Sequence, residues 1–174
     1  MAISLYDLTV PTYLQTLAGV AGVLDRGLSH FQDNNVDPNG ILEERLFADM
    51  LPFKFQVWAV AHHSIDVIEG LKTGHFGVPA AMGDLDYAGL QKVVADTRDA
   101  LGKLTPDEVN RFEGADIVFE IGTFKLPFVA EQFVLSFSLP NFHFHATTTY
   151  DLLRMKGVPL GKRDYMGPLR LKTA

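Results

Sequence analysis

Two close pairs of histidines are the side chains of this sequence that are best suited to catalysis or metal binding. His62 adjoins His63, and His143 lies two residues before His145. Neutral imidazole binds divalent metals and exchanges protons near neutral pH. The chain has no cysteine, which excludes thiolate metal sites and cysteine nucleophiles. The histidines are therefore the first candidates for a site.

The helical repeat separates the members of the first pair. Adjacent residues on a helix point about 100° apart, so we expect at most one of His62 and His63 to face the core squarely. His62 shares its face with Asp66 and Glu69, which predicts an exposed ion pair. His63 borders the apolar stripe that contains Val67. His63 is thus the better candidate for a buried role.

The second pair is separated in the same way. His143 and His145 differ by about 200°, so only one of them can share a site with His63. His145 lines up with Asn141 four residues earlier and with Thr149 four residues later. These are the more enclosed surroundings. His145 is therefore the better partner for His63, with Asn141 on its own helix face.

Three uses of this cluster are open at this stage. The three side chains could hydrogen-bond one another inside the core, as buried polar groups usually do. They could hold a metal weakly, or they could bind another ligand. The sequence contains no nucleophile-elbow serine, no phosphate-binding glycine loop and no dinucleotide fingerprint. A carboxylate such as Asp49 or Glu131 reaching the two imidazoles would favour an enzyme.

Hydrophobic periodicity and capping signals predict the elements that position these residues. A small hairpin with strands at 117–121 and 124–126 is expected before the last long helix. A loop over 74–83 is expected after the second long helix. Pro140 should kink the last helix, because proline lacks the N–H of a helical turn. The predicted long helices are Pro11 to about Asp33, Pro52 to Lys72, Tyr87 to Lys103 and Phe128 to Lys156, with short helices around 39–46 and after Thr105.

Composition limits the class of protein. A chain of 174 residues with 47% hydrophobic and 21% charged residues predicts one globular domain over residues 1–174. A net charge of −6 argues against a nucleic-acid partner. The longest uncharged run, 132–150, contains proline, histidine and several hydroxyl residues, so we expect no transmembrane helix. Residues 1–10 carry no cation, which argues against a secretory signal and favours the cytoplasm.

Charge is distributed unevenly along the chain. Residues 151–174 contain six cations and two carboxylates, whereas the rest of the chain is acidic. We therefore expect residues 157–174 to form a C-terminal tail that docks on the acidic body or on that of a second subunit.

Several segments together resemble a known family. The chain is similar to a domain-of-unknown-function branch of the DinB/YfiT-like superfamily, and the likeness spans almost its whole length. The segments that carry the resemblance are Ser4-Leu5-Tyr6-Asp7, Val10-Pro11, Asp49-Met50 with Pro52, Gln56-Val57, Leu139-Pro140-Asn141-Phe142, Phe144-His145, Thr149-Tyr150-Asp151 and Gly161-Lys162-Arg163-Asp164.

This resemblance implies a fold, an assembly and a metal site. The implied structure is an all-α four-helix bundle with one long crossover connection, usually a homodimer. In many relatives three histidines hold a divalent metal inside the bundle. His63 and His145 match the first and third of these ligands, and Asn141 stands at the second. Zinc and nickel sites favour imidazole, thiolate or carboxylate over an amide oxygen.

Two functions follow from the resemblance. One is an uncharacterised bundle whose family-specific residues organise the core, the tail and a dimer face. The alternative is a metal-dependent enzyme that uses His63 and His145, with a thiol-transfer or isomerisation activity.

Overall fold

The long first helix begins after a short capped turn. The computed structural model describes residues 3–172, and the chain is mostly helical. Helix α1 (Leu5–Leu8) is opened by a capping box in which Ser4 and Asp7 exchange hydrogen bonds. Helix α2 (Val10–Asp33) follows, with proline in its first turn, where its missing N–H is not needed. The predicted start of this helix is correct to within one residue.

The second long helical segment contains a wide turn. Helix α3 (Phe53–Ala61) continues through a π-helical turn (His62–Asp66) into α4 (Val67–Thr73). Gly74 ends the segment in the left-handed conformation. In a π turn the hydrogen bonds run from i to i+5, so side chains are spread differently from those of an α-helix. Both adjacent histidines lie in this turn.

The middle of the chain follows its capping signals closely. A 3-10 turn (Pro38–Ile41) is capped by the Asp37 side chain and is shorter than the helix expected around 39–46. Helix α5 (Tyr87–Leu101) is capped by the Asp86 side chain. Helix α6 (Pro106–Asn110) begins with the predicted Thr105 capping box.

The last long helix is interrupted where proline occurs. Helix α7 (Ala130–Phe133) passes through a second π-helical turn (Val134–Ser138) into α8 (Leu139–Met155). Pro140 lies in the first turn of α8. Because proline removes one backbone donor, the interruption takes the form of a π turn directly before it.

A small sheet corrects the all-α prediction. Strands β2 (Asp116–Ile121) and β3 (Phe124–Val129) form the predicted hairpin. A third strand, β1 (His75–Gly77), pairs in parallel with β2 inside the segment predicted as a loop. Three residues are too few to show the alternation of a strand, and this pairing joins segments about forty residues apart. Short strands of this kind depend on tertiary contacts.

The core lies between the long helices. Helix α2 packs against α5 and α8, and α3 packs against the same two helices. The largest fully buried side chains are Tyr13, Phe53, Tyr87, Phe133 and Phe142. Among residues 3–172, no helix has both the length and the apolar character needed to cross a membrane.

The C-terminal segment lies against α2 through backbone contact. Helix α9 (Lys162–Met166) packs on α2, where a Cβ added to Gly19 would overlap the carbonyl oxygen of Tyr165. One ion pair accompanies the contact, because Arg26 lies 3.4 Å from Asp164. Partly exposed pairs of this kind contribute little stability. Close packing rather than net charge therefore holds this segment in place.

Candidate functional site

The π turn and α8 bring His63 and His145 together. Their ring centroids lie 5.5 Å apart and their planes differ by 16°. His63 is 8% exposed, and His145 is only partly buried. The sequence prediction that these two histidines share a site is consistent with this geometry. His145 is the more exposed member of the pair.

One nitrogen of His63 lacks a partner. Its Nδ1 atom is buried and has no hydrogen-bond partner among residues 3–172. Leaving such an atom unsatisfied costs about 1–3 kcal/mol, so most buried polar atoms in proteins are paired. The expectation that His63, His145 and Asn141 satisfy one another is therefore wrong for this atom.

Gln56 assigns the tautomer of His145. The Oε1 atom of Gln56 lies 2.8 Å from Nδ1 of His145, and its Nε2 atom donates to the carbonyl oxygen of Leu51 at 2.8 Å. Because the amide nitrogen is engaged by a carbonyl, its oxygen must face the imidazole. Nδ1 of His145 therefore carries the proton, and in the neutral ring Nε2 is an acceptor.

Both imidazoles of the pair are neutral at pH 7. Burial, together with smaller effects of the nearby rings of His62 and His145, lowers the pKa of His63 from 6.5 to about 3. Burial also lowers the pKa of His145 to about 4, with a smaller effect of His62. The two imidazoles are thus uncharged polar groups among apolar side chains.

His62 departs from its predicted exposed position. It is 6% exposed, its Nδ1 lies 2.9 Å from Asp66 Oδ2, and its Nε2 lies 3.0 Å from the carbonyl oxygen of Gly77. The predicted pairing with Asp66 is correct, but strand β1 covers the ring, which stacks on Phe76. Both partners are acceptors, so both bonds form only when His62 carries two protons. The wide π turn lets both adjacent histidines be buried.

The third position of the implied metal site bonds to its own helical segment. Asn141 Nδ2 donates to the carbonyl oxygen of Phe137 at 2.7 Å, within its own helical segment. Glu131 accepts a hydrogen bond from the backbone N–H of Gly114, and Asp49 is exposed. In the part of the chain that the structure describes, no three His, Cys, Asp or Glu side chains are grouped to hold a metal. The residues present therefore do not fit the three-histidine centre implied by the resemblance.

Aromatic rings surround the two histidines. Phe76 and Phe137 lie within 5.8 and 6.0 Å of the His63 ring, centroid to centroid. Phe55 and Phe144 lie 5.9 and 5.3 Å from the His145 ring. The side chain of Phe144 is 54% exposed, so the rim of the site is apolar and open to solvent.

Sequence reasoning missed the partner of His145. Gln56 lies seven residues before His63 in the same helical segment, but its contact with α8 depends on the register between two helices. His143 contacts Tyr165 instead, with its Nδ1 atom 3.4 Å from the tyrosine hydroxyl. The expected separation of His143 and His145 onto different faces agrees with these contacts.

Comparison with known proteins places the chain in a family. The family described as Domain of unknown function (DUF1993) matches residues 5–166. The chain belongs to this family. The predicted link between a DUF branch and DinB-like proteins is confirmed.

A solved structure supports the same link for the DUF1993 chain. The chain resembles the crystal structure of a DinB family member protein from Shewanella denitrificans, with a TM-score of 0.82 and 25% sequence identity. The match covers 98% of this chain and 96% of the other. Among curated proteins, none matches the sequence significantly.

Proposed function

We propose that this DUF1993 protein binds a small uncharged molecule at the His63–His145 pair, through an O–H, N–H or S–H donor on that molecule. The observation that carries the proposal is the buried, unpartnered Nδ1 atom of His63 beside an imidazole whose Nε2 atom is an acceptor. A ligand that supplies the missing hydrogen bond would remove the cost of that unsatisfied atom.

The surroundings of the pair favour an uncharged ligand with an apolar body. Two neutral imidazoles give no charge to attract an anion, and burial opposes their protonation. Both ring nitrogens of His62 are already engaged by Asp66 and Gly77, so this ring offers no free acceptor to a cation. The rings of Phe55 and Phe144 offer apolar contact at the entrance. A small aromatic alcohol has these properties.

Phenol and anisole form a matched pair of probes for this site. We expect phenol to bind saturably and to shift the imidazole NMR signals of His63 and His145. Anisole, which lacks the O–H donor, should bind about twofold to tenfold more weakly, because a hydrogen bond contributes about 0.5–1.5 kcal/mol. Equal affinity for the two probes, or shifts confined to other histidines, would contradict the proposal.

A second candidate is the metal-dependent enzyme of DinB type. Its support is the contact of Gln56 with Nδ1 of His145, because metal-binding histidines usually donate their other N–H to a neighbouring acceptor. The missing third side-chain ligand stands against it. Within this candidate, thiol transfer or isomerisation would be the activity, with zinc or nickel as the metal.

Elemental analysis separates the two candidates. Wild type, His63→Ala and His145→Ala are purified without chelator, incubated with zinc, nickel or manganese, and desalted. We expect no stoichiometric metal in any of the three proteins. Near-stoichiometric metal in wild type that is lost in both variants would overturn the metal-free site and favour the enzyme.

We further propose that the chain acts as one cytoplasmic domain with a four-helix bundle and a long crossover connection, assembled as a homodimer. The contacts of α2 and α3 with both α5 and α8 support the four-helix arrangement. Exposed large apolar side chains, among them Phe47, Leu135 and Leu171, support association. Sedimentation that shows only monomer at working concentration would contradict the dimer.

A further inference from the structure

A groove between α2, α5 and the C-terminal segment lies apart from the histidine pair. It encloses about 420 Å³, which is within the usual size of small-ligand sites. The residues that line it are Pro11, Leu14, Gln15, Ala18, Arg98, Pro168, Leu169 and Arg170. Five of these are apolar, and no histidine is among them. Its chemistry thus differs from that of the proposed site.

Packing around the groove fixes its C-terminal wall. Gln15 Nε2 donates to the carbonyl oxygen of Met166 at 3.2 Å. Gly167, with φ +61°, approaches α2 so closely that a Cβ there would lie 2.5 Å from the carbonyl oxygen of Gln15. Residues 168–170 continue from this contact. The wall is therefore held by backbone contacts rather than by long side chains alone.

Two guanidinium groups lie at the groove without a carboxylate partner. Within residues 3–172, neither Arg98 nor Arg170 makes an ion pair. Asp96, two residues before Arg98, is instead bound by Lys92 at 2.6 and 2.8 Å. Arg170 makes one long hydrogen bond of 3.4 Å to the Thr12 hydroxyl. Most of the N–H donors of both arginines are thus available.

We propose that this groove binds a small linear carboxylate, with its alkyl chain on the apolar floor and its carboxylate at Arg98 and Arg170. Guanidinium groups match the planar carboxylate and form two parallel hydrogen bonds with it. Leu14, Ala18 and Leu169 supply apolar surface, and Leu169 is 53% exposed. In a chain of net charge −6, this pairing of cations with apolar surface is complementary to an amphiphilic anion.

Octanoate and octanol are the probes for this groove, measured by isothermal titration with the full chain. We expect octanoate to bind one site saturably with a Kd on the order of 1 mM or below. Octanol should bind at least about tenfold more weakly, because it lacks the charge that pairs with arginine. Arg98→Gln and Arg170→Gln should each weaken octanoate binding about threefold to tenfold.

Arg163→Gln is the matched control. Arg163 is an exposed cation of α9 that does not line the groove. Its replacement changes the net charge equally, and octanoate affinity should stay within about twofold of wild type. Equal binding of octanol and octanoate, equal loss in all three variants, or no saturation at about 10 mM octanoate would each overturn the proposal.

Discussion

Gly19→Ala will destabilise the protein by about 2–3 kcal/mol, because the added methyl group overlaps the backbone of a neighbouring segment. The Cβ of alanine at this position would overlap the carbonyl oxygen of Tyr165 and approach that of Asp164 at 3.1 Å. A backbone carbonyl cannot rotate aside as a flexible side chain can. The C-terminal segment must move away from α2, or the helix must bend.

Gly22 provides the matched control on the same helix. A Cβ there meets nothing within 4 Å. Alanine is the better helix former, so Gly22→Ala should stabilise the protein by about 0.5–1 kcal/mol. Urea unfolding of the two variants measures the difference. If Gly19→Ala unfolds at the same urea concentration as Gly22→Ala, close contact between α2 and residues 164–165 is not present in solution.

Acid will destabilise the folded protein well before its carboxylates titrate. Between pH 7 and pH 5 we expect a loss of roughly 3–4 kcal/mol from His63 and His145 together, at 1.36 kcal/mol per pH unit for each proton. Their pKa values are about 3 and about 4 in the folded state, below the ordinary 6.5.

The sign follows from proton uptake by the unfolded chain. Above pH 6.5 both histidines are neutral in both states, so they do not make stability depend on pH. Below pH 6.5 the unfolded chain binds protons that the folded chain excludes, so the free energy of unfolding falls as pH falls toward the folded-state pKa values. Burial lowers the pKa of His143 as well, which acts in the same direction.

Replacing the pair isolates its share of this effect. The double variant His63→Gln, His145→Gln has no imidazole at either position, so its unfolding free energy should change much less between pH 7 and pH 5. His30→Gln removes a partly buried histidine near the end of α2, outside the pair, and should keep the wild-type dependence. Denaturant unfolding at several pH values measures all three proteins. Parallel pH curves for wild type and the double variant would mean that the pair is not buried and neutral.

Local signals in the sequence account for much of the fold. The short helices expected around 39–46 and after Thr105 are present, and the side chains of Asp37 and Thr105 cap their first turns. The spacing of His63 and His145 within their helices is also consistent with the contact between their rings. These inferences depend only on residues within one or two turns of each other, which is why they succeed.

The features that sequence reasoning missed depend on distant contacts. Strand β1 exists because β2 lies beside it, and the ring of His62 is covered because β1 passes over it. Gln56 reaches His145 across the interface between α3 and α8. Hydrophobic periodicity does not give the register between two packed helices. The two π turns likewise change which residues share a helix face.

The protonation of the two site histidines is the most direct test of the proposed site. In protein labelled with ¹⁵N in the histidine rings, imidazole NMR spectra recorded from pH 7 to pH 5 distinguish neutral from charged rings and one tautomer from the other. We predict that His63 and His145 stay neutral throughout and that His145 carries its proton on Nδ1. Titration of either ring with a midpoint near 6.5, or a proton on Nε2 of His145, would contradict the account.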